Sequence, residues 1–226
     1  MALERLGSVT VSDVKPAILA PQEGEVRQSI GVALLIVGLD SHRNGDNATD
    51  PLMWTIVELQ VKLETDKKPG EVSIPAETIK VGESRDANVL GALAEFCDDS
   101  AIPNLEANLF STDGFYRENG IIIKGNPVDL AVLIYDGPLD IHFAPESLTE
   151  VSGNGWIKRS IILGMDNVRP VLSKAVKVDQ EEGLVSRALD SYYAGSAKRV
   201  IPPGFSMTEF YSRREILPDV RIPSLA

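Results

Sequence analysis

The residues best equipped for chemistry are carboxylates gathered around one short stretch of the chain. Glu83 closes a Gly82-Glu83-Ser84 turn, Asp86 follows it, Glu95 stands further along, and Asp98 and Asp99 come directly after. Hard oxygen ligands of this kind hold magnesium, and a magnesium ion can neutralise phosphate charge while it generates or orients an attacking water. The spacing limits that chemistry. At 3.6 residues per helical turn, Asp86 lies about two and a half turns before Glu95 and Asp98 about one turn after it, so these acids do not fall naturally on one point. The plainer reading is a solvated acidic helix face. Cys97 is the only cysteine, which excludes an internal disulfide, and beside Leu93 and Phe96 it reads as a small buried hydrophobe with nothing near it to lower its pKa.

These acids need a scaffold to position them. A strand ending at Ile74 leads through a loop into a helix expected over Ala87 to Cys97. Val89, Leu90, Leu93, Phe96 and Cys97 fall at i, i+1, i+4, i+7 and i+8, one apolar face of a 3.6-residue period. Ser84 is placed to cap it, and Asp86 lies in the first turn, where the helix dipole favours negative charge.

This loop-then-helix layout resembles the signature of the Nudix hydrolases, G-x5-E-x7-R-E-U-x-E-E-x-G-U, with U a bulky aliphatic residue. In that frame Glu83 takes the first glutamate position, Gly91 and Ala92 stand at the R-E pair, Leu93 at U, and Glu95 and Phe96 at the E-E pair. The opening glycine is Glu77 and the late glycine Asp98. The resemblance implies an α/β fold, a Nudix-like α/β/α sandwich with a mixed β-sheet. It implies Glu83 and Glu95 as the surviving metal and catalytic carboxylates if the chain is active, with magnesium as cofactor, and Asp86, Asp98 or Asp99 as acids that could stand in from shifted positions. Ala92 and Phe96 remove two oxygen ligands outright, and Gly91 replaces the arginine that orients the helix acids.

The rest of the chain fits this frame. Ser29 to Leu39 is nearly continuous apolar and reads as a strand buried on both faces. Asp40 to Pro51 reads as a loop, with His42 and Arg43 exposed in it. Trp54 to Glu64 alternates, with Val57, Leu59, Val61 and Leu63 facing one way, and one sheet containing both Ile30 to Leu39 and Val57 to Leu63 is expected to seat the helix. Lys67 to Gly70, Asp113-Gly114 and Asn119-Gly120 read as turns, Ile121 to Lys124 and Val128 to Tyr135 as strands. Glu150 followed by Trp156-Ile157 is similar to an acid-then-tryptophan strand late in many Nudix domains. Pro170 is tolerated in the first turn of a helix striped by Leu172, Ala175 and Val176. A second helix follows with Leu184, Val185, Ala188, Leu189 and Tyr192 at helical spacing and Gly195 as its stop. The chain divides into residues 1–28, an extension with a possible edge strand at Val9 and Val11, a Nudix-like domain over 29–195, and a Pro-rich arm over 196–226.

The 226 residues are enough for a substantial core, and the net charge of -11 argues against gripping nucleic acid or an anionic membrane surface. The amino-terminal residues lack a basic segment followed by an apolar run, and Ile30 to Leu39 is far short of the roughly 20 residues that span a bilayer, so the cytoplasm is the expected compartment. In the arm, Phe205, Phe210 and Tyr211 interleave with Arg213 and Arg214. Those aromatics need burial, on their own domain, on a sister subunit, or on a protein partner. Three functions follow: a catalytically degenerate Nudix-fold protein binding a nucleotide diphosphate-like ligand or a protein partner; a magnesium-dependent nucleoside diphosphate hydrolase with relocated ligands; and a nucleotide-sensing regulator, which would need a helix-turn-helix module this sequence lacks.

Overall fold

The computed structural model describes residues 28–39, 54–60, 71–112, 116–138, 153–214 and 217, with the backbone alone described at 54–60, 95, 96, 153, 158–160 and 211. The proposed amino-terminal edge strand, the loop carrying His42 and Arg43, the Lys67 to Gly70 and Asp113-Gly114 turns, Glu150, and the side chains of Glu95 and Phe96 lie outside the described residues.

The architecture is an α/β/α sandwich around a mixed sheet. Strand β1 (Gly31–Gly38) is buried along its whole length and runs parallel to β7 (Asn126–Tyr135), Val32 opposite Asp129 through Gly38 opposite Tyr135. A strand buried on both faces has no use for alternation, and its run of Val, Ala, Leu and Ile shows none. β4 (Ala76–Thr78) pairs antiparallel with the other edge of β1. The free edge of β7 is shared by β5 (Leu109–Ser111) and β6 (Tyr116–Ile123), and β9 (Lys198–Arg199) adds to β5.

Successive residues of β1 and β7 send side chains to opposite faces. Val32, Leu34, Ile36, Ala131, Leu133 and Tyr135 meet helix α1 (Arg85–Phe96) in one core cluster. Ala33, Leu35, Val37, Leu130, Val132 and Ile134 meet helices α4 (Pro170–Glu182) and α5 (Leu184–Tyr193) in another. α4 starts at Pro170 and buries Leu172, Ala175 and Val176, while α5 buries Leu184, Val185, Ala188 and Leu189, as the helical spacing requires. Gly183, at φ 63, joins them in the left-handed region. It carries no capping side chain, and buried Asp179 supplies the cap by accepting from the Val185 N–H at 2.6 Å.

Three expectations change. β2 (Trp54–Gln60) does not share a sheet with β1; it lies between β3 (Glu71–Ser73) and β8 (Gly153–Lys158), the latter followed by the short helix α3 (Arg159–Ile162), in a separate antiparallel sheet. Its alternating sequence explains why, because a strand with a polar face cannot take a place buried on both sides. Asn119-Gly120 does not end a strand but forms a bulge inside β6, where the register against β7 shifts between Arg117 and Ile121 and Asn119 takes φ 52. The segment between α1 and β5, which carried no expected element, forms a 3-10 turn (Asp99–Ala101) and helix α2 (Ile102–Asn108), with Pro103 in its first turn.

The described part of the arm packs on its own domain. Helix α6 (Met207–Arg214) brings Met207, fully buried, into the cluster around α1, with Ile201 buried there and Phe205 and Phe210 packed against it. As a result α1 is buried all round from Asn88 to Ala94, rather than having one apolar and one solvated face. Sheet on one side and α6 on the other enclose it.

Asp99 fastens α6 in place. Its carboxylate accepts from the Met207 N–H at 2.5 Å, from the Thr208 N–H at 3.4 Å and from the Ser206 hydroxyl at 3.1 Å. The Thr208 hydroxyl above all, then the Met207 N–H and the Ser206 hydroxyl, hold its pKa below the ordinary 3.8, against partial desolvation. A depressed carboxylate pKa contributes stability that is complete above the unfolded value and is lost as pH falls through the folded one. The melting temperature of the parent should therefore exceed that of Asp99→Asn at pH 6, and the gap should close as the pH is taken below 3.8. A gap independent of pH would remove Asp99 as the charged cap of α6.

Candidate functional site

The site is built where the start of α1 faces the bulge of β6. Ser84 caps α1, its hydroxyl accepting from the Ala87 N–H at 3.2 Å. This sets Glu83 just before the helix and Arg85 and Asn88 on its first turns. Across from them lie Tyr116 and Asn119 of β6 and Asp129 of β7. Together with Ser29 they enclose a cleft of about 270 Å³.

Asp129 is the floor of this cleft, and it is a charged residue only 5% exposed inside an otherwise apolar strand. It accepts from the Tyr116 hydroxyl at 2.6 Å, from the Asn119 N–H at 2.8 Å and from the Ser29 hydroxyl. The bulge makes the middle contact possible, since the positive φ of Asn119 turns its N–H inward. Burial, followed by the hydrogen bond and charge of Asp129, raises the pKa of Tyr116, which keeps that hydroxyl protonated and donating. On the rim Arg85 pairs with Glu118 and lies over the Tyr116 ring, its Cζ 5.1 Å from the centroid.

Asn88 forms the wall. It is 4% exposed, and its Oδ1 has no hydrogen-bond partner. A buried polar atom left unmatched costs about 1–3 kcal/mol, and of the described side chains that line the cleft Asn88 carries the one such atom. The lining combines Glu83, Glu118 and Asp129 with Arg85, and is rich in acceptors.

The acids singled out in the sequence go different ways. Glu83 lines the cleft with a side chain 6% exposed, and both of its oxygens accept from the Nε of Arg214, at 2.9 and 3.0 Å. Asp86 is exposed in the first turn of α1. Asp98 caps the 3-10 turn, accepting from the Ser100 N–H at 2.9 Å, and Asp99 caps α6. Ala92, at the frame's paired R-E, is fully buried. Among the described residues no group of three or more His, Cys, Asp or Glu side chains is placed to hold a metal ion. The donors that are described do not fit a magnesium ion as they stand, because Glu83 would first have to leave Arg214. Asp129 and Asn88 were not foreseen. The signal for the first was there, a lone acid inside the run Val128 to Tyr135, which in a buried strand must be satisfied by hydrogen bonds.

No family model matches this chain, and no curated protein matches it. Its fold is similar to those of Nudix hydrolases of known structure. The Nudix hydrolase RenU from M. smegmatis aligns with a TM-score of 0.46 at 11% identity, over 72% of this chain and 90% of its own. MutT protein from Methanosarcina mazei Go1 aligns at 0.43 and 14%, over 70% and 98%. The Nudix domain of Shewanella oneidensis NrtR, solved with ADP ribose, aligns at 0.42 and 13%, over 72% and 93%. No helix among the described residues is long and apolar enough to cross a membrane.

Proposed function

We propose that this chain is a Nudix-fold binding protein that takes a small nucleoside-like ligand in the cleft over Asp129 and does not hydrolyse diphosphates at an enzymatic rate. The observation that carries this reading is the separate employment of the carboxylates. Glu83 binds Arg214, Asp98 caps the 3-10 turn, Asp99 caps α6, and position 92 holds a buried alanine. Magnesium-assisted phosphoryl chemistry draws its rate from charge stabilisation by a firmly held ion, so scattering its ligands forfeits orders of magnitude.

The chemistry of the cleft supports the ligand class. About 270 Å³ is just under the roughly 300–1,000 Å³ usual for ligand pockets, room for a ligand of nucleoside size and not for an extended dinucleotide. Three acids against one arginine in the lining disfavour the phosphates of a nucleotide and leave its base and sugar as the part the cleft takes.

Calorimetry or thermal shift with a panel of nucleosides, nucleotides and ADP-ribose, with and without magnesium, tests this. Nucleoside-type ligands should raise the melting temperature without release of monophosphate, and Asn88→Ala should abolish the shift. Clear magnesium-dependent turnover that disappears in Glu95→Gln would overturn the proposal in favour of a hydrolase using Glu83 and Glu95.

A further inference from the structure

We propose that Arg214, at the end of α6, is a positioning residue that supplies from the far end of the chain the guanidinium the signature frame would place at position 91. It lies 131 residues from Glu83 in sequence, and its side chain is 2% exposed. Nε donates to both oxygens of Glu83, Nη2 donates to the Thr78 carbonyl at 2.9 Å, and Nη1 lies 3.2 Å from Glu77 Oε2 as an ion pair out of line for a hydrogen bond.

The departures from the frame meet at this guanidinium. A Cβ on Gly91 would lie 2.4 Å from Arg214 Cζ and 2.6 Å from Nη1, so any other residue there would have to push the guanidinium out of its clamp. Glycine is the poorest helix former after proline, which makes its presence at a buried position of α1 informative. Glu77, standing where the frame opens with glycine, gives the guanidinium its second carboxylate. Gly91, Glu77 and Arg214 thus make one arrangement: α1 gives up its own side chain, and α6 fills the space with a cation clamped by β4 and by Glu83 of the loop that precedes α1. The carboxylate of Glu83 is held at the cleft wall by this clamp, whether or not the cleft is a nucleoside site.

The proposal predicts a reversal of sign at position 91. In the native background Gly91→Ala should lower the melting temperature, despite alanine's better helix propensity, because its methyl group meets the guanidinium. With Arg214→Ala the same change should raise it. Arg214→Ala alone leaves two buried carboxylates without their cation and should lower the melting temperature by roughly 10 °C. Gly91→Arg combined with Arg214→Ala should recover a large part of that loss and exceed Gly91→Ala combined with Arg214→Ala, and the advantage of arginine over alanine should vanish when Glu83→Gln is added. An arginine at 91 that does no better than alanine there would overturn the proposal and leave Arg214 as packing for α6. Should Arg214→Ala fail to fold, cooperative melting restored by Gly91→Arg and not by Gly91→Ala carries the same answer, and failure of both counts against it.

Discussion

Leu93→Asp is expected to abolish cooperative folding or to lower the melting temperature by well over 10 °C. Leu93 is 0% exposed, in the cluster that joins α1 to Val32, Leu34 and Leu133. Truncating a buried leucine to alanine already costs about 2–5 kcal/mol, and an aspartate adds the desolvation of a charge with no cation assigned to it. Total stabilities of about 5–15 kcal/mol leave little after such a loss. The helix has no alternative seat, since α6 covers the side that the sheet does not. Val81, 51% exposed in the loop before α1, is the matched control, and Val81→Asp should stay within about 0.5 kcal/mol of the parent. Melting curves of the two variants against the parent decide the matter. An unchanged curve for Leu93→Asp would remove α1 from the core.

The seat of α1 was legible because local rules and tertiary demands agree there. Val89, Leu90, Leu93 and Cys97 repeat at helical spacing and are all buried, and Ser84 caps the helix as a serine before an apolar run should. The same agreement made α4 and α5 readable through Pro170 and the stripes of Leu172 and Leu184. What could not be read was the other side of α1. A periodic stripe tells which residues need burial, but the covering element here comes from Ile201 to Arg214, beyond helices α2, α4 and α5, and only a contact of that long range explains why Asn88, Gly91 and Ala92 are also enclosed.

The candidate site was half legible for a related reason. Glu83 stood out by its place in a Gly-Glu-Ser turn, and it does line the cleft. Its partner did not, because Arg214 and Glu83 are brought together by the docking of α6 and share no local pattern. Gly91 was visible as a departure from the frame, yet a missing arginine and a relocated one look the same in a single sequence. Asp129 and the Asn119 bulge illustrate the opposite case, where a hydrophobic run with one acid and an Asn-Gly pair each signal something irregular without saying that the two face each other across a hairpin.

Restoring a carboxylate at position 92 separates the enclosed helix from an active signature, and Ala92→Glu is expected to unfold or strongly destabilise the protein rather than awaken it. Ala92 is 0% exposed and packs in the cluster around α1. A glutamate there must displace packed neighbours, at about 1–3 kcal/mol for the overpacking, and must also desolvate its charge. The electrostatic part has a pH signature. Burial raises the pKa of the introduced carboxyl above its unfolded value of about 4.3, so the penalty grows as pH rises from that value and disappears below it, leaving only the steric cost. The gap in melting temperature between parent and variant should therefore be widest at neutral pH and narrower at pH 4. Magnesium should leave it unchanged. If position 92 instead looked onto a metal site, the new carboxylate would be tolerated, and magnesium at a hundred times its dissociation constant would raise stability by about 2.7 kcal/mol. A magnesium-dependent rise in the melting temperature of Ala92→Glu, absent in the parent, would show that α1 keeps a face open to a cation and would return the chain to the hydrolase reading.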